Sequence, residues 1–131
     1  MSRKWRWVNK AALLLLHDEG LAEHGGASGM RDEGLFESAL ARPENLAAYE
    51  NPDFASLAAA YAIGLAKNHP FVDGNKRVAF IALGLFLALN AYRLSASQID
   101  ATQTMLAAAA GDLSEAGLAA WIRRNSKKQK K

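Results

Sequence analysis

The sequence has no cysteine. Disulfides, thiolate metal sites and thiol nucleophiles are therefore excluded, and the composition suits a reducing compartment. Long apolar runs are missing as well. The longest stretch free of polar side chains is Val78–Leu89, twelve residues that include Gly84, short of the ~20 needed to span a bilayer. The amino terminus, Arg3-Lys4-Trp5-Arg6-Trp7, is basic but lacks the apolar stretch and small-residue cleavage site of a secretory signal. A soluble cytoplasmic protein with no membrane partner is expected. β-Branched residues are scarce and strand-type alternation is hard to find, whereas alanine and leucine dominate. That balance predicts an all-α domain.

The 131 residues, 50% hydrophobic and 22% charged, suffice for one domain with one core. The net charge of +3 conceals a segregation. Arg123, Arg124, Lys127, Lys128, Lys130 and Lys131 supply six of the sixteen cations, leaving ten against thirteen carboxylates, a balance of −3, in residues 1–122. The body is mildly acidic and the basicity sits in the tail. Residues 1–125 are expected to form the domain and residues 126–131 a basic, disordered tail, solvated at its end.

Helices are expected from about Asn9 to His24, stopped by Gly25-Gly26, and from an Asp32 cap through Leu40, ending before Pro43. Residues 43–52 read as an irregular connection. A third helix runs from an Asp53 cap to about Asn68, with Leu57, Tyr61 and Leu65 four residues apart. Pro70 forces a break. A fourth begins near Gly74 or Asn75 and reaches about Tyr92. Being apolar nearly all round, it is expected at the centre. Ser97 and Ser114 cap a fifth helix to Ala110 and a sixth to about Arg124. The expectation is a compact six-helix bundle with a central apolar helix.

The segment between the third and fourth helices, His69-Pro70-Phe71-Val72-Asp73-Gly74-Asn75-Lys76-Arg77, carries chemistry. A helix amino terminus presents unpaired N–H groups and a positive dipole end to an anion such as phosphate. Gly74 lets backbone approach a ligand. Lys76 and Arg77 add two cations. Asp73 is a hard oxygen donor of the kind that shares Mg²⁺ with nucleotide phosphates. His69 is of the residue type best suited to a general base. Singly, each residue has an ordinary role: Asp73 as a cap, Asn75 as a turn former, Lys76 and Arg77 as a solvated face, His69 as a helix-end histidine. Jointly they are a poor way to build a connection, because two cations at a helix amino terminus oppose its dipole unless an anion binds there.

The segment resembles the Fic signature, His-Pro-Phe-x-(Asp/Glu)-Gly-Asn-x-Arg, at seven of its nine positions. Lys76 stands where AMP-transferring Fic enzymes usually have glycine, and Asn75-Lys76-Arg77 resembles the death-on-curing (Doc) toxin branch. His17-Asp18, Gly25-Gly26 and Gly29–Leu35 also look Doc-like, so the resemblance spans about residues 5–125. It implies a Fic/Doc-type bundle and a Doc-like toxin of a toxin–antitoxin pair. The toxin would be a kinase using ATP and Mg²⁺ to phosphorylate a Ser or Thr hydroxyl of a translation factor such as elongation factor Tu. His69 would be the general base and Asp73 the metal ligand. Gly74, Asn75, Lys76 and Arg77 would hold the nucleotide phosphates, and Phe71 would face inward. Pro70 and Gly74 are general Fic choices and keep AMP transfer open. The inhibitory pattern Ser/Thr-x-x-x-Glu-Gly/Asn of many Fic proteins is not found in this sequence, so control by a Phd-like antitoxin in trans, docking in a partly apolar groove, is implied. A competing, non-enzymatic reading takes the basic tail with Trp5, Arg6 and Trp7 as a nucleic-acid-binding module. The aromatics are expected instead to pack the first helix, and nucleic acid is not an expected partner.

Overall fold

The computed structural model describes residues 4–129. Six helices follow in order: α1 (Lys10–His24), α2 (Glu33–Tyr49), α3 (Phe54–Asn68), α4 (Asn75–Leu89), α5 (Gln98–Ala110) and α6 (Glu115–Arg124). Five begin at a side-chain cap. Asn9, Asp32, Asp53, Ser97 and Ser114 each accept a hydrogen bond from the backbone N–H three residues on, which satisfies one of the orphan donors of the first turn. None of these helices is long and apolar enough to cross a membrane.

The central helix is α3, not the more uniformly apolar α4. Eleven consecutive or near-consecutive side chains of α3 are buried, and it packs against α2, α4 and α6. The reason is size. Its alanines and Gly64 let neighbours close in on every side, and a Cβ at Gly64 would lie 3.5 Å from Ala39 of α2. On α4, Phe80, Ile81 and Leu85 are only partly buried. Trp5 and Trp7 lie over Phe86 of α4, ring centroids 5.9 and 6.0 Å away, so these ring contacts are to α4 and not to the first helix. Val8 N–H donates to the Tyr61 hydroxyl at 3.0 Å, pinning that strand of chain to the core.

Three expectations are corrected. Helix α2 does not end before Pro43 but runs through it to Tyr49. An internal proline costs a helix about 3 kcal/mol or more. Here the ring is buried, and Leu46 and Ala47 beyond it pack on the core, so tertiary burial outweighs the lost backbone bond. The irregular connection shrinks to residues 50–53. Helix α4 stops at Leu89, where Asn90 caps it and Ala91 turns the chain at φ 67°. Tyr92–Leu94 then forms a strand, β1, paired antiparallel with Ser126–Lys128, β2. The bundle thus carries one short ribbon. Part of the segment expected to be a disordered tail is in that ribbon, while residues 130 and 131 lie outside the described ones.

Arg123 of α6 grips the α3 cap, its Nε and Nη2 donating to the two carboxylate oxygens of Asp53 at 2.6 and 3.0 Å. This bidentate pair holds the Asp53 carboxyl down at about 2, against an ordinary 3.8. A carboxyl with a lowered folded-state pKa adds stability that is complete above its unfolded value and is lost as pH falls towards the folded one. Both side chains are more than two-fifths exposed, so solvent screening reduces the contribution to about 1 kcal/mol. Asp53→Asn, which keeps a capping oxygen, is expected to lower unfolding free energy by that amount at pH 7. The difference should close between pH 4 and 2 in denaturant titrations.

Candidate active site

The loop joining α3 to α4 is built to hold one unusual bend. His69 closes α3 in the left-handed region, φ 48° and ψ 55°, a conformation that costs a residue with a Cβ and needs support. Arg31 supplies it. Its Nε donates to the His69 carbonyl at 2.8 Å and its Nη2 to the Asn68 carbonyl at 2.9 Å, while the Asn68 amide donates to the Leu35 carbonyl at 2.9 Å. The Pro70 carbonyl accepts from the N–H groups of Arg31 and Asp32 at 2.7 and 3.0 Å, and Val72 N–H donates to the Gly29 carbonyl at 3.0 Å. The connection between α1 and α2 is therefore laced along the loop, with Met30 and Phe71 in a one-pair bridge.

Phe71 points inward, 3% exposed, as the resemblance implied. It meets Phe36 edge-on at 5.2 Å and lies 3.9 Å from the His17 ring. The Asn75 side chain clasps the same residue from outside the helix: its oxygen accepts from Phe71 N–H and its amide donates to the Phe71 carbonyl, both at 3.0 Å. Most of the Asn75 amide is thus occupied in shaping the turn, which leaves phosphate contact chiefly to backbone N–H groups. Gly74 adopts φ 78°. A Cβ there would sit 2.9 Å from His17 Cε1, so glycine is required on both backbone and steric grounds.

Helix α4 is the one helix of the six whose first turn has no side-chain cap. Asp73 does not cap it. Its Oδ1 accepts from the adjacent Gly74 N–H at 2.9 Å and its Oδ2 from Ala27 N–H at 3.3 Å. An open helix terminus with Lys76 and Arg77 in the same turn has the N–H donors and the charge that an anion would need. His69, Asp73, Gly74, Asn75, Lys76 and Arg77, all six residues singled out from the sequence, line one groove of about 470 Å³ together with Val72. Asp73 is its carboxylate, and no three His, Cys, Asp or Glu gather elsewhere among the described residues. One exposed carboxylate beside a phosphate cradle fits an ion that takes its other ligands from phosphate and water.

Arg77 reaches beneath the groove. Its Nη1 is buried with no hydrogen-bond partner among the described residues, and its Cδ would be 3.1 Å from a Cβ on Gly20 of α1. His17 is 2% exposed and both ring nitrogens lack partners. Burial pushes its pKa down, Arg77 pushes the same way, and Asp18 and Asp73 pull against them. The ring is therefore a neutral wall under Gly74. A second channel, about 670 Å³, opens between α1, α4 and α5. It shares Lys76 and Arg77 with the groove and is lined by Leu16, Phe80, Ile81 and Met105.

Sequence reasoning assigned no role to Arg31, Asn68 or His17. The first two act on backbone carbonyls 33 to 38 residues away, which leaves no local pattern. His17 was visible only as part of a Doc-like pair.

The comparisons with known proteins agree with this geometry. The chain is 34% identical over 120 residues to "Protein kinase doc" of Escherichia phage P1, covering 91% of this chain and 94% of that protein. It is 38% identical over 92 residues to "Toxin Doc" of Mycolicibacterium smegmatis, covering 66% and 69% of the two. The model of the Fic/DOC family matches residues 7–87, a span from the aromatic amino terminus through the groove to the end of α4, and the chain belongs to that family.

Proposed function

We propose that the protein is the toxin of a toxin–antitoxin pair and acts as an ATP-dependent kinase. It would transfer the γ-phosphoryl group to a Ser or Thr hydroxyl of a translation factor such as elongation factor Tu. The observation that carries this reading is the uncapped amino terminus of α4, whose Lys76 and Arg77 line one groove with His69. His69 accepts the hydroxyl proton, and the hydroxyl oxygen attacks the γ-phosphorus while the bond to the β-phosphate oxygen breaks and ADP departs. Backbone N–H groups of the first turn and the two cations hold the phosphates and meet the charge that develops on the equatorial oxygens. Asp73 is the residue that would hold Mg²⁺, which would help to neutralise that charge.

Lys76 supports γ- over α-transfer. Glycine at this position lets the turn close on a diphosphate, whereas a lysine side chain fills the space and offers a point charge. The name of the phage relative points the same way, and that of the mycobacterial one supports the toxin reading. Control in trans by a Phd-like antitoxin fits the partly apolar channel along α1, α4 and α5, where Glu19, Glu23, Lys76 and Arg77 flank Leu16, Phe80, Ile81 and Met105 and suit an amphipathic segment that folds on binding. Transfer of AMP is the second reading, kept open by Pro70 and Gly74, which are general Fic choices.

The test is purified protein with Mg²⁺, elongation factor Tu and ATP labelled at the γ or the α phosphate. Label from γ alone on the factor is expected. Label from α would replace the kinase by an AMP transferase. No label from either, in a protein whose expression still arrests growth, would remove elongation factor Tu as the target.

A further inference from the structure

The far end of α4 from the site carries a second concentration of charge. Three segments meet there: residues 4–9, residues 85–95 and residues 125–129. None contains an aspartate or glutamate. They are fixed to one another by backbone bonds. The Asn90 side chain accepts from Arg6 N–H and donates to the Arg6 carbonyl, both at 3.0 Å, and Gln129 N–H donates to the Ala91 carbonyl at 2.7 Å. Lys4, Arg6 and Lys128 line a depression of about 440 Å³ over the last residues of α4. In the ribbon, Arg93 stands directly across from Lys127. All five cations are exposed, and none pairs with a carboxylate among the described residues.

A helix carboxyl terminus attracts cations, but its dipole is worth about half a charge and reaches only its last turn. Five cations exceed that. Like charges directly opposed in a two-stranded ribbon also destabilise it. The ribbon nonetheless forms, folding back a tail that composition alone assigns to solvent. Such a surface stores repulsion that a bound polyanion removes.

We infer that this end of the molecule binds the phosphodiester backbone of a nucleic acid. The alternative of an acidic protein partner is disfavoured by what the patch lacks. Protein interfaces are built round an apolar centre with a polar rim, whereas in these segments Leu89, 37% exposed, is the one exposed large apolar side chain, Trp5, Trp7, Leu85, Tyr92 and Leu94 being partly buried against the core. A uniformly cationic surface with flexible lysines and two arginines suits repeated phosphates and carries no base readout. Fifteen helical residues separate the two ends of α4, about 22 Å at 1.5 Å each. A bound strand therefore leaves the His69 groove open, and the enzyme can be held on a nucleic-acid-rich assembly while it works. This inference does not depend on which phosphoryl or nucleotidyl group the groove transfers.

The test is fluorescence anisotropy of labelled 20-nucleotide single-stranded RNA and of duplex DNA with the purified full chain, from 50 to 200 mM NaCl. Five neutralised phosphates on a single strand predict a slope of about −3.5 in log K against log salt, a loss of roughly a hundredfold over that range. The triple variant Arg93→Gln, Lys127→Gln, Lys128→Gln should lower the slope by about two, while Lys67→Gln, elsewhere on the surface, leaves it unchanged. If the triple variant melts early, the pair Lys4→Gln, Arg6→Gln takes its place with a fall of about 1.4. RNA and DNA binding alike assigns the backbone, and a preference for RNA adds the 2′-hydroxyl. Absence of binding at 50 mM salt, a slope untouched by the variants, or equal displacement by polyglutamate would overturn the inference.

Discussion

His69→Ala is expected to slow transfer to the target hydroxyl by about 10²- to 10⁴-fold, the range for loss of a positioned general base. The fold should survive it. The His69 side chain is exposed and makes none of the loop's hydrogen bonds. Those run through its backbone carbonyl to Arg31 and its N–H to Leu65. Alanine keeps both, so the melting temperature should move by no more than a few degrees. Initial rates with labelled ATP, taken beside a melting curve, check both halves of the expectation. In cells the same change should convert growth arrest into growth. A variant that retained a rate within threefold of the parent would remove His69 from the chemistry and leave the groove a binding site only.

On the proposed reading, Arg77→Ala should also damage transfer, by about 10²- to 10³-fold, because it deletes a preorganised charge that would meet the phosphates. Its effect on stability should have the opposite sign from most arginine losses. One guanidinium nitrogen is buried without a partner, and the group sits at a helix amino terminus beside a neutral, desolvated His17. An unsatisfied buried donor is a cost to the folded state. Removing it should leave unfolding free energy unchanged or raise it, while a saturating anion should stabilise the parent and not the variant. Arg77→Lys should fail to restore full activity, since an ammonium cannot offer two parallel donors to a phosphate. Denaturant curves with and without inorganic triphosphate, beside transfer rates, separate the two effects. A parent protein that gained no stability from the anion would overturn the picture of a strained, waiting cation.

The site was legible because its parts are contiguous. Nine residues from His69 to Arg77 contain the proposed base, the carboxylate, the glycine and both cations, and a short segment between two helices cannot scatter them. Its supports were not legible. Arg31 and Asn68 hold the loop through carbonyl oxygens, and every residue type has a carbonyl. His17 works as a shaped neutral surface under Gly74, a role that no titratable residue advertises. In the fold, the caps Asp32, Asp53, Ser97 and Ser114 announced four helices because their side-chain bonds are local. The run through Pro43 and the Tyr92–Ser126 ribbon depended on burial and on pairing between distant segments, which local propensity cannot express. The choice of α3 over α4 as the centre turned on volume: composition ranks hydrophobicity, whereas the middle of a tight bundle goes to small side chains.

That last feature bears on inheritance. A host that survives expression of an active toxin has usually broken it, and the number of ways to do so is set by how many positions tolerate nothing larger. Helix α3 offers eleven buried positions, six of them alanine and one glycine, and at those seven most amino-acid replacements reachable by one nucleotide change enlarge or charge a side chain with little room to move. The six residues of the groove present a smaller mutational target. Among spontaneous survivors, lesions should therefore collect along α3 more than at His69 or Arg77, and the helix that holds the bundle together is also the lineage's weakest point.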